Sequence, residues 1–229
     1  MNIGIIVAAG NGERTKLAYP KQFYQILGKS LLRIALEKYE YSKIDKIIVV
    51  ANKDFINETK EECYGINKVY DIIEGGESRQ ESVFNALKYI YDNLGLITIV
   101  SIHDAARPFV STKKINEGLE TAKKYGSAIL ALPEKNSLSQ VNDNVINKIL
   151  DRNEIYIHQT PQTFDFQKLY KAYTNFENEL KSFTDDASIY HKAGNFVRIV
   201  EGEEYNIKIT TEFDLKFANW LIEEGKINV

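Results

Sequence analysis

Between residues 5 and 23 the chain reads IIVAAGNGERTKLAYPKQF, and these residue types suit the handling of a polyanion. Ile5, Ile6 and Val7 lead into Ala8, Ala9, Gly10, Asn11 and Gly12, where side-chain volume is small, and Arg14, Lys16 and Lys21 follow at once. Small residues let backbone N–H groups approach phosphate oxygens, and nearby cations neutralise them. The stretch predicts a phosphate cradle. It is not a P-loop, which needs Gly-Lys-Ser/Thr after four spacer residues, and a dinucleotide fingerprint would need a third glycine where Thr15 stands. Glycines alone would equally serve a tight strand-to-loop turn, but such a turn needs neither the basic cluster nor the rigid Tyr19-Pro20-Lys21-Gln22.

Two further stretches carry chemistry. Ser101 to Pro108, SIHDAARP, follows an apolar run and places Asp104 and Arg107 at a strand's carboxyl end, the edge where open α/β sheets bind ligands. A carboxylate there can hold a divalent metal on phosphate oxygens, and a guanidinium can take a phosphate bidentately; the alternative is an internal Asp–Arg pair that fixes the loop. Gly75 to Ser82, GGESRQES, joins a strand to a helix and suits recognition of a base or ribose by backbone groups and Ser82, although capping by Ser78 explains part of it. In the second half, Arg152, Lys192 and Lys208 are candidate cations. Lys208 lies in an alternating run and is aimed inward, whereas Lys192 reads as a solvated helix face. Thr184, beside Asp185 and Asp186, can offer a hydroxyl to a phosphate or cap a helix. His103, His158 and His191 lack metal-ligand spacing and read as structural or surface residues. No G-x-S-x-G elbow supports nucleophilic hydrolysis.

The elements that must position these residues alternate. Strands are expected at 3–7, 46–51, 69–73, 97–102 and 127–132, with helices at 31–40, 54–63, 78–91 and 113–124, a rhythm that predicts an α/β fold with a mostly parallel sheet covered on both faces. At 134–152 the rhythm breaks into two short alternating runs about Asn142-Asp143-Asn144, a hairpin with little core of its own. This hairpin is expected to be an arm packing on a second subunit. Strands at 155–158, 197–200 and 206–209, and helices from about 166, from 184–186 to near Gly194, and from Thr211 to Gly225, complete the chain. The 229 residues suit a single domain spanning 1–229. A net charge of −3 gives no overall field for nucleic acid or an anionic membrane, so any anion must be met locally. No apolar run approaches the ~20 residues of a membrane span, and a cytoplasmic protein is expected. Cys63, the one cysteine, excludes an internal disulfide and reads as an inert helix residue.

In order, AAGNGER, PKQF, GGESRQESV, HDAARPF, DRNEIY, TPQTF, TDDAS and NIKIT span nearly the whole chain, and with them it resembles the 2-C-methyl-D-erythritol 4-phosphate cytidylyltransferase family of isoprenoid precursor synthesis. The resemblance implies a Rossmann-like fold whose protruding hairpin arm interlocks a homodimer. It implies transfer of CMP from CTP to a polyol phosphate with release of pyrophosphate, assisted by Mg²⁺. Carried over, Arg14 and Lys21 would stabilise the α-phosphate and the departing pyrophosphate. Ala8, Ala9, Gly76 and Ser82 would hold cytosine and ribose beside the cradle of Gly10 and Gly12, and Asp104, Arg107, Arg152, Thr184 and Lys208 would bind the acceptor. Two stretches depart from the family pattern: Arg14-Thr15-Lys16 stands where R-M-G is usual, and residues 133–139 lack its Asp and Lys while Ser137 keeps the hydroxyl of its Thr. The D-ribitol 5-phosphate cytidylyltransferases of cell-surface polymer synthesis share most of these motifs, so they give the alternative acceptor, although HDAARP is closer to the methylerythritol enzymes. A nucleotide-binding protein that has lost turnover is the alternative from another class.

Overall fold

The first strand, β1 (Asn2–Ala8), is apolar on both sides because it lies in the middle of a sheet covered on both faces. The structure is a computed structural model that describes residues 1–10 and 19–227; Gly12 and Arg14 lie outside the described residues. A short hairpin of β2 (Gln25–Ile26) and β3 (Lys29–Ser30) leads to α1 (Leu31–Glu40), β4 (Lys46–Ala51), α2 (Ile56–Cys63) and β5 (Val69–Glu74). Then come α3 (Arg79–Asn93), β6 (Ile99–Asp104), α4 (Thr112–Tyr125) and β7 (Ser127–Pro133). The second half holds β8 (Leu138–Asn142), β9 (Val145–Leu150), β10 (Tyr156–Asp165), α5 (Phe166–Asn175), α6 (Asp186–Lys192), β11 (Ile199–Glu201) and α7 (Glu212–Glu223).

The seven-stranded sheet runs β11-β7-β10-β6-β1-β4-β5, with β10 antiparallel to both its neighbours and the other four pairings parallel. This is the expected α/β, Rossmann-like architecture. Ile3 and Ile5 of β1 face a core shared with α3, α5 and α6, while Ile6 and Ala8 face one shared with α1 and α4. Each isoleucine so buried stabilises the fold by roughly 1.5–3 kcal/mol. A third cluster of Ile26, Leu31, Ile34, Phe109, Ile209, Leu215 and Ala218 binds α7 to α1 and the β2–β3 hairpin and holds Ile209 beside Phe109. From β1 the chain crosses through α1 to β4 on one side, and it later returns through α3 to β6 on the other. The carboxyl ends of β1 and β6 therefore part at a topological switch point, where a crevice forms.

The structure corrects some sequence-based expectations. Residues 206–209 form no strand, because Ile209 N–H donates to the Ala106 carbonyl at 2.8 Å and the Asn206 amide donates to the Thr160 carbonyl at 2.8 Å; side chains and a loop take the place of a ladder. The strand expected at 155–158 continues as β10 to Asp165. Pro161, which ordinarily argues against a central strand, sits where the β10–β7 register shifts between His158 and Gln162. The expected hairpin is present as β8–β9, turned at Asp143 and Asn144 with φ of 48° and 63°, as a two-residue primed turn requires.

Gly4 shows how tightly β1 is packed: a Cβ there would lie 2.7 Å from Cδ1 of Tyr39, a fully buried ring. Gly4→Ala is expected to cost about 1–3 kcal/mol, lowering Tm by about 2–10 °C in a thermal melt. An unchanged melt would show that the Tyr39 ring is not fixed over β1.

Candidate active site

The carboxyl ends of β1, β4, β5 and β6 open into one cleft of about 760 Å³. Ala8, Ala9 and Gly10 bring the end of β1 to it, Asn52 to Asp54 the end of β4, Gly75 to Arg79 the turn after β5, and Asp104 to Ala106 the end of β6. Small residues are required there. A Cβ on Gly75 would lie 2.4 Å from the Cβ of Ala9, and one on Gly76 would lie 2.5 Å from the Cβ of Glu81. Gly76 N–H donates to Ser82 Oγ at 3.0 Å, and that hydroxyl donates to the Ser78 carbonyl at 2.9 Å, so Ser82 shapes the turn from within. Ser78 and Glu81 form a reciprocal capping box at the start of α3.

Lys21 reaches the cleft through an anchored turn. Pro20 enters with φ −58°, Gln22 donates to the Ala8 carbonyl at 2.8 Å, and Phe23 is buried against the core, so the residue between proline and glutamine lines the cleft. The motif P-K-Q-F thus divides its labour: three residues fix a short turn to β1 and one carries charge.

A smaller cavity of about 270 Å³ adjoins the cleft and is lined by Arg107, His158, Gln159, Thr160, Gln162, Thr184 and Asp185. Arg79, Asp104 and Lys208 line both spaces and form the wall between them. Asp104 receives Arg79 Nε at 2.8 Å on one oxygen and Lys208 Nζ at 2.6 Å on the other. Burial opposes its charge, yet the pull of Arg79 and Lys208 holds the carboxyl well below the usual carboxylate range. Arg79 Nη2 also donates to Asp186 at 2.8 Å, and Tyr173 donates to the other Asp186 oxygen at 2.5 Å. Asp186 is wholly buried.

Arg107 donates through Nη1 to the Asn206 carbonyl at 2.8 Å and through Nη2 to that of His158 at 3.4 Å. Arg107 Nε and Arg79 Nη1 are buried donors without a hydrogen-bond partner among the described residues. Behind it, His103 is fully buried, bonded to Thr160 Oγ1 at 3.0 Å and to the Arg107 carbonyl at 2.9 Å. Burial lowers its pKa to about 4, which keeps it neutral at pH 7. Asp185, not Thr184, caps α6, which leaves Thr184 on the cavity's rim.

Of the residues predicted from sequence, Ala8, Ala9, Gly10, Lys21, Gly76, Ser82, Asp104 and Lys208 share the cleft, and Arg107 and Thr184 share the adjoining cavity. Ser137 and Arg152 line neither; both are exposed at the root of the β8–β9 hairpin, where Arg152 donates to the Lys135 carbonyl at 3.0 Å. Arg79 was missed. A cation in the first turn of a helix is opposed by the helix dipole, which is a sign that it is held by carboxylates elsewhere. His158, read as structural or surface, lines the smaller cavity.

A mostly parallel sheet with a glycine-lined crevice at its switch point, walled by cations, defines a nucleotide-handling α/β protein. The family model for the 2-C-methyl-D-erythritol 4-phosphate cytidylyltransferases, IspD, matches residues 3–224, and the chain belongs to that family. It is 46% identical to the enzyme of that name from Petrotoga mobilis, over 97% of this chain and 99% of the relative, and 40% identical to that from Thermosipho africanus, over 94% and 95%. It superposes on 4-diphosphocytidyl-2C-methyl-D-erythritol synthase from Anaerococcus prevotii with a TM-score of 0.84 at 28% identity, covering 97% of this chain and 96% of the other. For the Francisella tularensis cytidylyltransferase the TM-score is 0.80 at 35% identity, covering 96% and 99%.

Arg79→Met would leave Asp186 without its cationic partner and Asp104 with only Lys208. The loss expected is about 3–5 kcal/mol, read as a fall in Tm on the order of 10 °C. A fall below about 2 °C would remove Arg79 from the centre of the network.

Proposed function

We propose that this chain transfers CMP from CTP to 2-C-methyl-D-erythritol 4-phosphate and releases pyrophosphate. One observation carries the reading: the nucleotide cleft and the smaller cationic cavity meet at a shared wall of Arg79, Asp104 and Lys208, so phosphates bound on either side converge on the same cations. The cytosine and ribose would lie against Ala8, Ala9 and the turn that Ser82 holds, with the triphosphate toward Gly10 and Lys21. The acceptor's phosphate would sit by Arg107, Thr184 and Lys208.

An oxygen of the acceptor phosphate attacks the α-phosphorus in line; the new P–O bond forms as the bond to the β-phosphate's bridging oxygen breaks, and its electron pair leaves with pyrophosphate. A phosphate monoester is largely dianionic at pH 7, its second pKa being about 6, so no general base is required. His103 is buried with both ring nitrogens hydrogen-bonded within the protein, and among the described residues the cleft lining holds no histidine, in keeping with this. Positioning and charge neutralisation supply the rate. Lys21 would neutralise the leaving pyrophosphate and Lys208 the transferred phosphoryl group. Asp104 would act mainly by orienting Lys208.

Magnesium, which the family resemblance implies, is a poorer fit to Asp104 than the sequence suggested. Each Asp104 oxygen already faces a cation, and among the described residues no three acidic, histidine or cysteine side chains cluster as a metal site. No step above is routed through a metal.

The chain would work as one domain, in the cytoplasm where CTP is consumed, and as a homodimer joined by the β8–β9 arm. The arm buries almost nothing on its own chain and leaves Val141, Val145, Ile146 and Ile149 between 53% and 74% exposed, which is costly for an isolated hairpin. A partner subunit would cover it. Arg152 and Ser137, at its root, would then complete the acceptor site of the other subunit.

With CTP, Mg²⁺ and methylerythritol phosphate, pyrophosphate release is expected; release only with ribitol 5-phosphate would move the acceptor assignment. Lys21→Ala should lower kcat by 10²–10³, about 2.7–4 kcal/mol, and near-normal turnover would remove its role. If Arg152 acts across the interface, co-refolded Lys21→Ala and Arg152→Ala chains should regain about a quarter of wild-type activity, because half the dimers then hold one intact site. No regain would confine each site to one chain.

A further inference from the structure

We propose that His158, clamped by Asp185, donates its second ring N–H to the acceptor's phosphate in the smaller cavity, a contact beside those of Arg107 and Lys208. This rests on reading that cavity as the acceptor's.

The imidazole lines the cavity with 44% of its side chain open to solvent, and its Nδ1 lies 2.8 Å from Asp185 Oδ2. That carboxylate is itself fixed: Gln162 donates to Oδ2 at 2.9 Å, and Ser188 N–H donates to Oδ1 at 2.9 Å where Asp185 caps α6. Burial opposes the charge of Asp185, but these donors hold its carboxyl well below the usual range, so it only accepts. Nδ1 must then carry a hydrogen.

The consequence falls on Nε2, which has no hydrogen-bond partner among the described residues. In the neutral ring Nε2 presents a lone pair, which repels a phosphate oxygen. Only the imidazolium presents a donor. The hydrogen bond to Asp185 is the largest influence and raises the His158 pKa, against a smaller opposing effect of burial. Asp185 from the start of α6 bonds the ring, and the other charged groups lining the same cavity are Arg107 from the loop after β6, Lys208 from the 206–209 segment, Asp104 from the end of β6 and Arg79 from the start of α3. The carboxylates favour protonation and the other cations oppose it; a bound phosphate dianion would tip the balance further toward the imidazolium. Arg107 Nη2, which donates to the His158 carbonyl, ties the same residue's backbone to the guanidinium that would share the phosphate.

His158→Gln keeps a donor toward Asp185 but cannot acquire charge. Acceptor KM would be measured for both proteins from pH 6 to 8.5, so that titration of the acceptor's own phosphate cancels in the ratio. At pH 6 the variant is expected to show a KM for the polyol phosphate raised roughly ten-fold or more, the size of a charge-assisted hydrogen bond, falling toward parity above pH 8, with kcat and the KM for CTP unchanged. A ratio near one at every pH would overturn the proposal. So would a joint loss of kcat, CTP affinity and Tm, which would mark His158 as a structural partner of α6.

A second measurement does not depend on turnover. The Cε1–H resonance of His158, assigned by its disappearance in His158→Gln, would be titrated with and without inorganic phosphate. A phosphate-induced rise in its pKa supports the contact even if no acceptor yields pyrophosphate, and an unmoved pKa in an enzyme that turns over refutes it. Methylerythritol phosphate moving the resonance at lower concentration than inorganic phosphate would assign the site to the esterified acceptor.

Discussion

The buried ion network of Asp104 with Arg79 and Lys208 is the constraint on which the site depends. A lone carboxylate at the end of β6 would be costly to desolvate, and so would either cation without it. Each is accommodated because the others are present, and they come from far apart in the chain: β6, the first turn of α3 and the 206–209 segment. Asp186, through Arg79, adds the first turn of α6. The contacts that assemble the sheet edge are therefore the same ones that aim charge into the crevice, and fold and site are difficult to perturb separately.

The arrangement also explains how so many cations coexist before any substrate arrives. Asp104 compensates Lys208 and part of Arg79, Asp186 takes the rest of Arg79, and Arg107 spreads its charge over two backbone carbonyls. Binding a polyanion then needs little rearrangement of protein charge. Preorganised positive groups of this kind stabilise charge that moves from α-phosphate to pyrophosphate more effectively than water, which must reorient.

Much of this was legible in the sequence where local rules dominate. The small residues after β1, the Gly75-Gly76 turn, the capped starts of α1, α3 and α7 and the hairpin turn follow from backbone freedom and short-range hydrogen bonds. Less was legible where tertiary contacts decide. Pro161 made β10 read as a strand ending at His158, because the register shift that carries it on to Asp165 is set by pairing with β7. Residues 206–209 alternate like a strand but are held by Gln159, Thr160 and Ala106, so Lys208 is placed by packing. Arg79 and His158 were overlooked because each is defined by an acidic partner 107 or 27 residues away, a separation that no local pattern records.

In the proposed reaction two substrates meet across one cationic wall. A crystal structure with the product, CDP-methylerythritol, bound is the most direct test. Cytidine is expected in the cleft of Ala8, Ala9 and Gly76, and the acceptor-derived phosphate of the bridging diphosphate in the smaller cavity, within hydrogen-bonding distance of Lys208, Arg107 and His158, with the polyol beside it. A product lying wholly in the larger cleft, with the smaller cavity untouched, would contradict it.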